Sequence, residues 1–182
     1  MEQEPQEIAD LAPPLGSETP ARQSAVSAPA KSLPLGTFAV KTDDRGRIKF
    51  PSRFLPFLQD FSGESLFVTS LDRRTIAIYP VSVWRENLKR FKEYRGDPAA
   101  VKVVQFNAND LGTEEDVDSQ WRVTLNTELR SALGLEDKAT LHMQGRNGHI
   151  ELITDGVYQE LRARAKREAE AAAEKLLGEG FE

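Results

Sequence analysis

One pattern occurs twice in this chain. Asp43-Asp44-Arg45-Gly46-Arg47 and Asp118-Ser119-Gln120-Trp121-Arg122 each place an Asp four residues before an Arg, at an offset of 75 residues. The surroundings repeat with the pattern. At the same offset Ile48 meets Val123, Phe50 meets Leu125 and Leu58 meets Leu133. After a one-residue slip to 74, Ile76 meets Ile150, Ile78 meets Leu152 and Trp84 meets Tyr158. Chance agreement among apolar positions would not also set the same turn at the same point of each copy. The chain therefore reads as a duplicated β-β-α-β-β-α unit of roughly 75 residues. Such a unit, with four short strands, is marginal alone, so the halves are expected to share a core.

Local patterns supply the elements. GTFAVKT and IKFP are strands closed into a bulged hairpin by the turn between them, with Pro51 ending the second. Ser52 is placed to cap a short helix, SRFLPFLQDF, which Pro56 limits or kinks. SLFVTSL and TIAIYP form a hairpin around Asp72-Arg73-Arg74. From Val81 the apolar spacing turns helical, with Gly96 placed to end that helix and Asp97-Pro98 to start another through Phe106. The order then repeats: turn and strand over 118–125, a short helix over Thr127–Leu133 ended by Gly134, and a hairpin about Asn147-Gly148. A charged, Ala-rich helix runs from Val157 to about Leu177.

Composition narrows the class. Of 182 residues 39% are hydrophobic and 29% charged, which suits a globular chain with polar tails. No apolar run approaches the roughly 18–20 residues of a membrane span. The N-terminus, with Glu2, Glu4, Glu7 and Asp10, is not built as a signal peptide, and a cytoplasmic address follows. There is no cysteine, so disulfides and thiolate chemistry are excluded. The net charge of −5 conceals an asymmetry: residues 1–35 carry −3, 36–95 carry +5, 96–162 carry −6 and 163–182 carry −1. Phosphate binding responds to a local face, so the first half can attract nucleic acid while the rest does not. The expected division is a disordered N-terminal extension (1–35), a first half with connecting helices (36–110), a degenerate second half (111–162) and the charged helix (163–182).

The first turn has a mechanical logic. Asp43 can accept hydrogen bonds from backbone two residues on, and Gly46 can take positive φ without a Cβ clash. Arg47 then starts the outgoing strand beside the Asp43 carboxylate. Lys41, Arg45, Lys49 and Arg53 gather around it. A ribbon with projecting Arg and Lys can enter the DNA major groove or follow its phosphates. Spacing alone leaves the alternative open: solvated charges with one Asp–Arg brace. His142 and His149 lack companion ligands for a metal, no Gly-rich phosphate loop follows a strand, and no nucleophile–base set can be read. Neither an enzyme nor a cofactor nor a small-molecule substrate is indicated.

GTFAVKTDDRGRIKFPSRF resembles the opening of the MraZ family, through Asp43, Arg45, Gly46, Arg47, Ile48, Pro51 and Phe54. IAIYPVSVW is similar to that family's strand before a Trp-bearing helix, through Tyr79, Pro80 and Trp84. ELRSALGL is similar to its second-half helix, through Leu129, Arg130, Leu133, Gly134 and Leu135. The resemblance covers about residues 36–162. It implies an α+β, β-rich fold of two AbrB-like, swapped-hairpin-type half-barrels in tandem, with subunits closed into a ring. It implies a nucleoid-associated regulator that binds short direct repeats of double-stranded DNA in the promoter of the division and cell-wall gene cluster. The family's DNA-facing residues correspond to Arg45 and Arg47, and its second-half Arg to Arg122.

The chain departs from the family at Leu35 and Leu55, where an Arg is usual, at Trp121 in place of the turn Gly, and at Asn126 in place of a Pro. A bulky residue at positive φ costs roughly 1–2 kcal/mol, so the second turn is expected to be remodelled. With Glu114, Glu115, Asp116 and Asp118 nearby, the second copy is expected to touch phosphate weakly, and Trp121 to pack against a neighbouring half. On this reading Asp43, Gly46 and Asp118 are structural turn residues, and Lys41, Arg45, Arg47, Lys49, Arg53 and Arg122 the nucleic-acid contacts. The competing reading is a ring-forming interaction scaffold with reduced DNA binding.

Overall fold

Strand pairing decides this architecture, and it is not the pairing of nearest neighbours in sequence. The structure is a computed structural model that describes residues 32–180. It is α+β. Six strands form one antiparallel sheet: β1 (Thr37–Lys41), β3 (Leu66–Thr69), β4 (Thr75–Pro80), β5 (Thr113–Glu115), β7 (Thr140–Arg146) and β8 (His149–Thr154). β2 (Arg47–Lys49) and β6 (Arg122–Thr124) form a separate two-stranded ribbon. Five helices complete the fold: α1 (Leu55–Asp60), α2 (Val81–Glu93), α3 (Pro98–Leu111), α4 (Thr127–Ala132) and α5 (Asp155–Gly178).

The sheet order is β1-β7-β8-β4-β3-β5. Exchanging each strand for its counterpart in the other copy (β1 with β5, β3 with β7, β4 with β8) and reading backwards returns the same order. The registers agree. β2 pairs with its own counterpart β6 at Ile48↔Val123, and β4 with its own counterpart β8 at Ala77↔Glu151. A pseudo-twofold axis thus passes through both pairs. The copies interleave in one sheet, which is how two marginal units come to share a core.

The expected hairpin between β1 and β2 does not form. β1 pairs along its length with β7, and only an isolated bridge joins Thr42 to Ile48. Ile48 and Val123 gain more by burial under the sheet than a local hairpin would offer, and both are essentially inaccessible. They close one side of a core filled from the sheet by Ile76, Ile78, Leu141, Met143, Ile150 and Leu152. The alternate residues Phe67, Ala77 and Tyr79 face the other way and carry α2 and α3 through Trp84 and Ala108. The ribbon and the helices α2, α3 therefore lie on opposite faces of the sheet.

Other expectations need adjustment. Pro51 stands at the start of the 3₁₀ turn Ser52–Phe54, and no side chain caps it; Pro56 sits in the first turn of α1, where its missing N–H costs nothing. α2 ends at Glu93 with Tyr94 extended, so Gly96 lies beyond the helix end and instead gives room to the Tyr94 ring. Asp97 caps α3 by accepting from the Ala99 N–H, and α3 continues past Phe106 to Leu111. Asn147 and Gly148 both take positive φ, as a two-residue hairpin turn requires. Of the expected N-terminal extension, residues 1–31 lie outside the described residues. Leu33 packs against the main core, so ordered contacts begin before Gly36.

Candidate nucleic-acid interface

The first turn is a closed hydrogen-bond unit. The Asp43 N–H donates to the Arg47 carbonyl at 2.8 Å, and the Gly46 N–H to the Asp43 carbonyl at 3.0 Å. Asp43 Oδ1 accepts from the N–H groups of Arg45 (3.0 Å) and Arg47 (2.9 Å). Oδ2 accepts from Arg47 Nε at 2.8 Å and Nη2 at 2.7 Å. The Arg47 side-chain hydrogen bond, with help from the backbone, holds the Asp43 carboxyl down at about 2, and the same contact raises Arg47.

The second turn repeats this unit, so the expected remodelling does not occur. The Asp118 N–H donates to the Arg122 carbonyl, and the Trp121 N–H to the Asp118 carbonyl. Oδ1 accepts from Gln120 N (2.8 Å) and Arg122 N (3.0 Å); Oδ2 accepts from Arg122 Nε and Nη2, both at 2.7 Å. The Arg122 hydrogen bond likewise lowers the Asp118 carboxyl. Trp121 takes the glycine's conformation, with φ 60° against 72° at Gly46. The local cost of about 1–2 kcal/mol is offset by the preserved hydrogen bonds and by packing of the indole at the margin of the main core.

The neighbours of the two turns differ in a complementary way. A Cβ at Gly46 would meet Arg130 Nε at 2.6 Å. Arg130, on α4, lies across this turn and donates to the Leu125 carbonyl at 3.2 Å. The position equivalent to Arg130 in the first copy is Leu55, and the one equivalent to Gly46 is Trp121. A small turn residue beneath a long cation in one copy corresponds to a bulky turn residue and a shorter apolar side chain in the other. In the sequence, Arg130 shows as part of the site only through the loss of the equivalent cation at Leu55.

The ribbon joins the turns, one at each end. Arg47 lies opposite Thr124, Ile48 opposite Val123 and Lys49 opposite Arg122. The Leu125 N–H to Gly46 carbonyl and Phe50 N–H to Trp121 carbonyl bonds, both 2.9 Å, extend it at its two ends. Ile48 and Val123 point into the core, so strand alternation turns Arg47, Lys49, Arg122 and Thr124 outward. Cations from both copies thus share one face. Lys49 sits directly opposite Arg122, a like-charge contact that the Asp118 carboxylate on Arg122 offsets only from one side, so Lys49 itself is left without a counter-charge.

The remaining positions are not all on this face. Arg45 is exposed at the tip of the first turn. Lys41, expected among the contacts, is exposed at the end of β1 opposite Thr140; it alternates with the core residue Val40 and so projects to the sheet face away from the ribbon. Arg53 lies over the Phe38 ring, 5.8 Å from its centroid. Among the described residues, Lys41, Arg45 and Lys49 have no ion-pair partner, and the Nη1 groups of Arg47 and Arg122 have no hydrogen bond.

The histidines are used in packing. His142 Nε2 lies 2.8 Å from Asp155 Oδ1 and its ring stacks on Tyr158, while His149 stacks on Tyr79 and burial pushes its imidazole below the ordinary range. Among the described residues no group of His, Asp and Glu is assembled that could hold a metal ion, and no helix is long and apolar enough to cross a membrane.

No family model matches the chain. Curated proteins do. The chain is 30% identical over 149 residues to the "Transcriptional regulator MraZ" of Mycobacterium ulcerans, covering 81% of this chain and 99% of that protein. It is 32% identical over 107 residues to the protein of the same name from Corynebacterium kroppenstedtii, covering 58% of this chain and 71% of that protein. The Mycobacterium tuberculosis protein of that name is 28% identical over 149 residues, again 81% of this chain and 99% of the relative.

Proposed function

The chain belongs to the MraZ family of transcriptional regulators, and from that premise we propose that it is a DNA-binding regulator of transcription whose contact surface is the outward face of the β2–β6 ribbon. The observation that carries the proposal is the Lys49–Arg122 pair, two cations facing across strands at one end of the ribbon, with the unpaired Arg45 at the turn on its other end. A phosphate diester is the anion such a face suits. Arg47 and Arg122 are oriented by their aspartates through Nε and Nη2, which leaves Nη1 for a ligand; Arg45, Lys49 and Arg53 add charge that follows a backbone. In this reading the second copy takes part through Arg122, more than its acidic sequence neighbourhood suggested.

The finer reading is that of the family resemblance. Residues 36–110 and 111–162 are two AbrB-like half-barrels, and from residue 163 to Gly178 the chain extends the last helix. The protein represses or modulates the division and cell-wall gene cluster by binding short promoter direct repeats, as a closed ring in the cytoplasm at the nucleoid. A specific surface supports self-association. On α3, Ala99, Val103 and Phe106 lie on one face; Val103 is 61% and Phe106 64% exposed, with Tyr94 nearby in sequence at 58%. Repeated weak contacts become useful when a ring holds several ribbons over repeated sites.

A gel-shift titration of the full chain against the DNA upstream of its own gene tests the proposal. Retardation of that duplex, and not of one with the repeats scrambled, is the expected result. Equal retardation of both would leave only non-specific phosphate binding and remove the promoter reading.

A further inference from the structure

We propose that the cleft between the β3–β4 turn, the β7–β8 hairpin and α5 binds a small molecule bearing a polyphosphate, of the nucleoside di- and triphosphate class. Four arginines from three separate elements line this cleft of about 330 Å³: Arg74, Arg146, Arg164 and Arg167. By contrast, the cleft beneath the second turn has no arginine in its lining, and that between α2 and α3 has one, Arg90. The planar guanidinium fork matches phosphate oxygens two at a time, so convergence of several forks is the arrangement a polyphosphate needs.

The acids present do not cancel this. Asp72 Oδ1 accepts from the Arg74 and Thr75 N–H groups and so is committed to its own turn. Glu151 is buried and accepts from Gln144 and Arg146. Arg74 pairs with Glu160, and Arg164 with Glu168 on the same helix. Both pairs are at exposed positions, where an ion pair is weak and exchanges readily against a dianion. Arg167 has no ion pair among the described residues. Val157 and Leu161 give the cleft an apolar side, against which a nucleobase can rest while the phosphates meet the arginines.

This site is distinct from the ribbon. Thr75 and Glu151 project from the sheet on the side of Ala77 and Tyr79, the face away from Ile48 and Val123. A duplex lying on the ribbon does not reach the cleft, so the ligand is a separate molecule. The inference does not depend on the DNA reading.

Isothermal titration calorimetry of the full chain with ADP, inorganic pyrophosphate and adenosine, at matched ionic strength, tests it. Saturable binding of ADP and of pyrophosphate is expected, with ADP tighter and adenosine at least tenfold weaker than ADP. Arg164→Ala/Arg167→Ala, both exposed and outside the core, is expected to weaken ADP at least tenfold, while Arg45→Ala leaves it unchanged. Absence of saturable binding by both phosphates, adenosine as tight as ADP, or unchanged affinity in the double variant would each overturn the proposal.

Discussion

At the scale of the residue, the two aspartates do the same work in different surroundings. Their hydrogen bonds are local, reaching no further than four residues, and that is why the Asp-x-x-x-Arg turns were legible in the sequence. Trp121 was not. Positive φ argues against a bulky residue locally, and what offsets it is packing at the core margin, which no local pattern records. Gly46 shows the converse: it is held both by φ 72° and by Arg130. Gly46→Ala is expected to destabilise by about 1–2 kcal/mol from the backbone alone, and Arg130→Ala to reduce the effect of adding the methyl, measured by urea unfolding of the two single variants and the double variant. The turns also set a pH dependence. Asp43 titrates lower in the fold, at about 2, than in the unfolded chain, so its contribution is complete above about pH 4 and lost as pH falls toward 2. Asp43→Asn is expected to flatten that acid limb. His149 acts at higher pH: burial lowers its folded value, so the unfolded chain takes up protons first and stability declines as pH falls below about 6.5. Unfolding free energies of His149→Gln that still fall in the same window would contradict this.

At the scale of the element, strands and helices were largely readable, because alternation and 3.6-residue spacing are local signals. Their partners were not. β1 and β2 are adjacent in sequence and flank a turn, yet β1 pairs with β7 and β2 with β6, since Ile48 and Val123 must both reach one core. β5, Thr-Glu-Glu, carries no apolar alternation and exists because β3 offers an edge. The same limit applied to the site. The cations were visible, but their distribution over one ribbon built from both copies was not, because that depends on pairing across 75 residues. Asn126, where the family resemblance leads one to expect Pro, is an element-scale joint: it caps α4 by accepting from the Leu129 N–H and donates to the Leu111 carbonyl and Thr113 Oγ1. Asn126→Ala is expected to cost about 1–2 kcal/mol in urea unfolding, at or above the upper end for a cap, because a carbonyl on β5's approach is also left without its donor. By contrast, α5 has no buried residue, and removal of residues 169–182 is expected to leave thermal stability within about 0.5 kcal/mol of the full chain.

At the scale of the whole molecule, the interleaved sheet separates two surfaces. The ribbon lies on one side, and α2 and α3 on the other, so the proposed DNA face and the proposed self-association face do not overlap. Phe106→Glu with Val103→Glu is expected to shift the protein to smaller species in light scattering while leaving its circular dichroism unchanged; unchanged mass would contradict the proposed role of this surface. The proposed DNA contact rests most on the ribbon, whose charge can be tested directly. The measurement is a fluorescence-anisotropy titration of the upstream duplex over a range of salt concentrations, with wild type and with Arg45→Ala/Lys49→Ala. Both side chains are exposed and unpaired, so the fold is expected to survive. For the double variant an affinity lower by about tenfold or more is expected, with a log K against log salt slope shallower by about two, as two phosphate contacts are lost. The same affinity and the same slope in both proteins would contradict it.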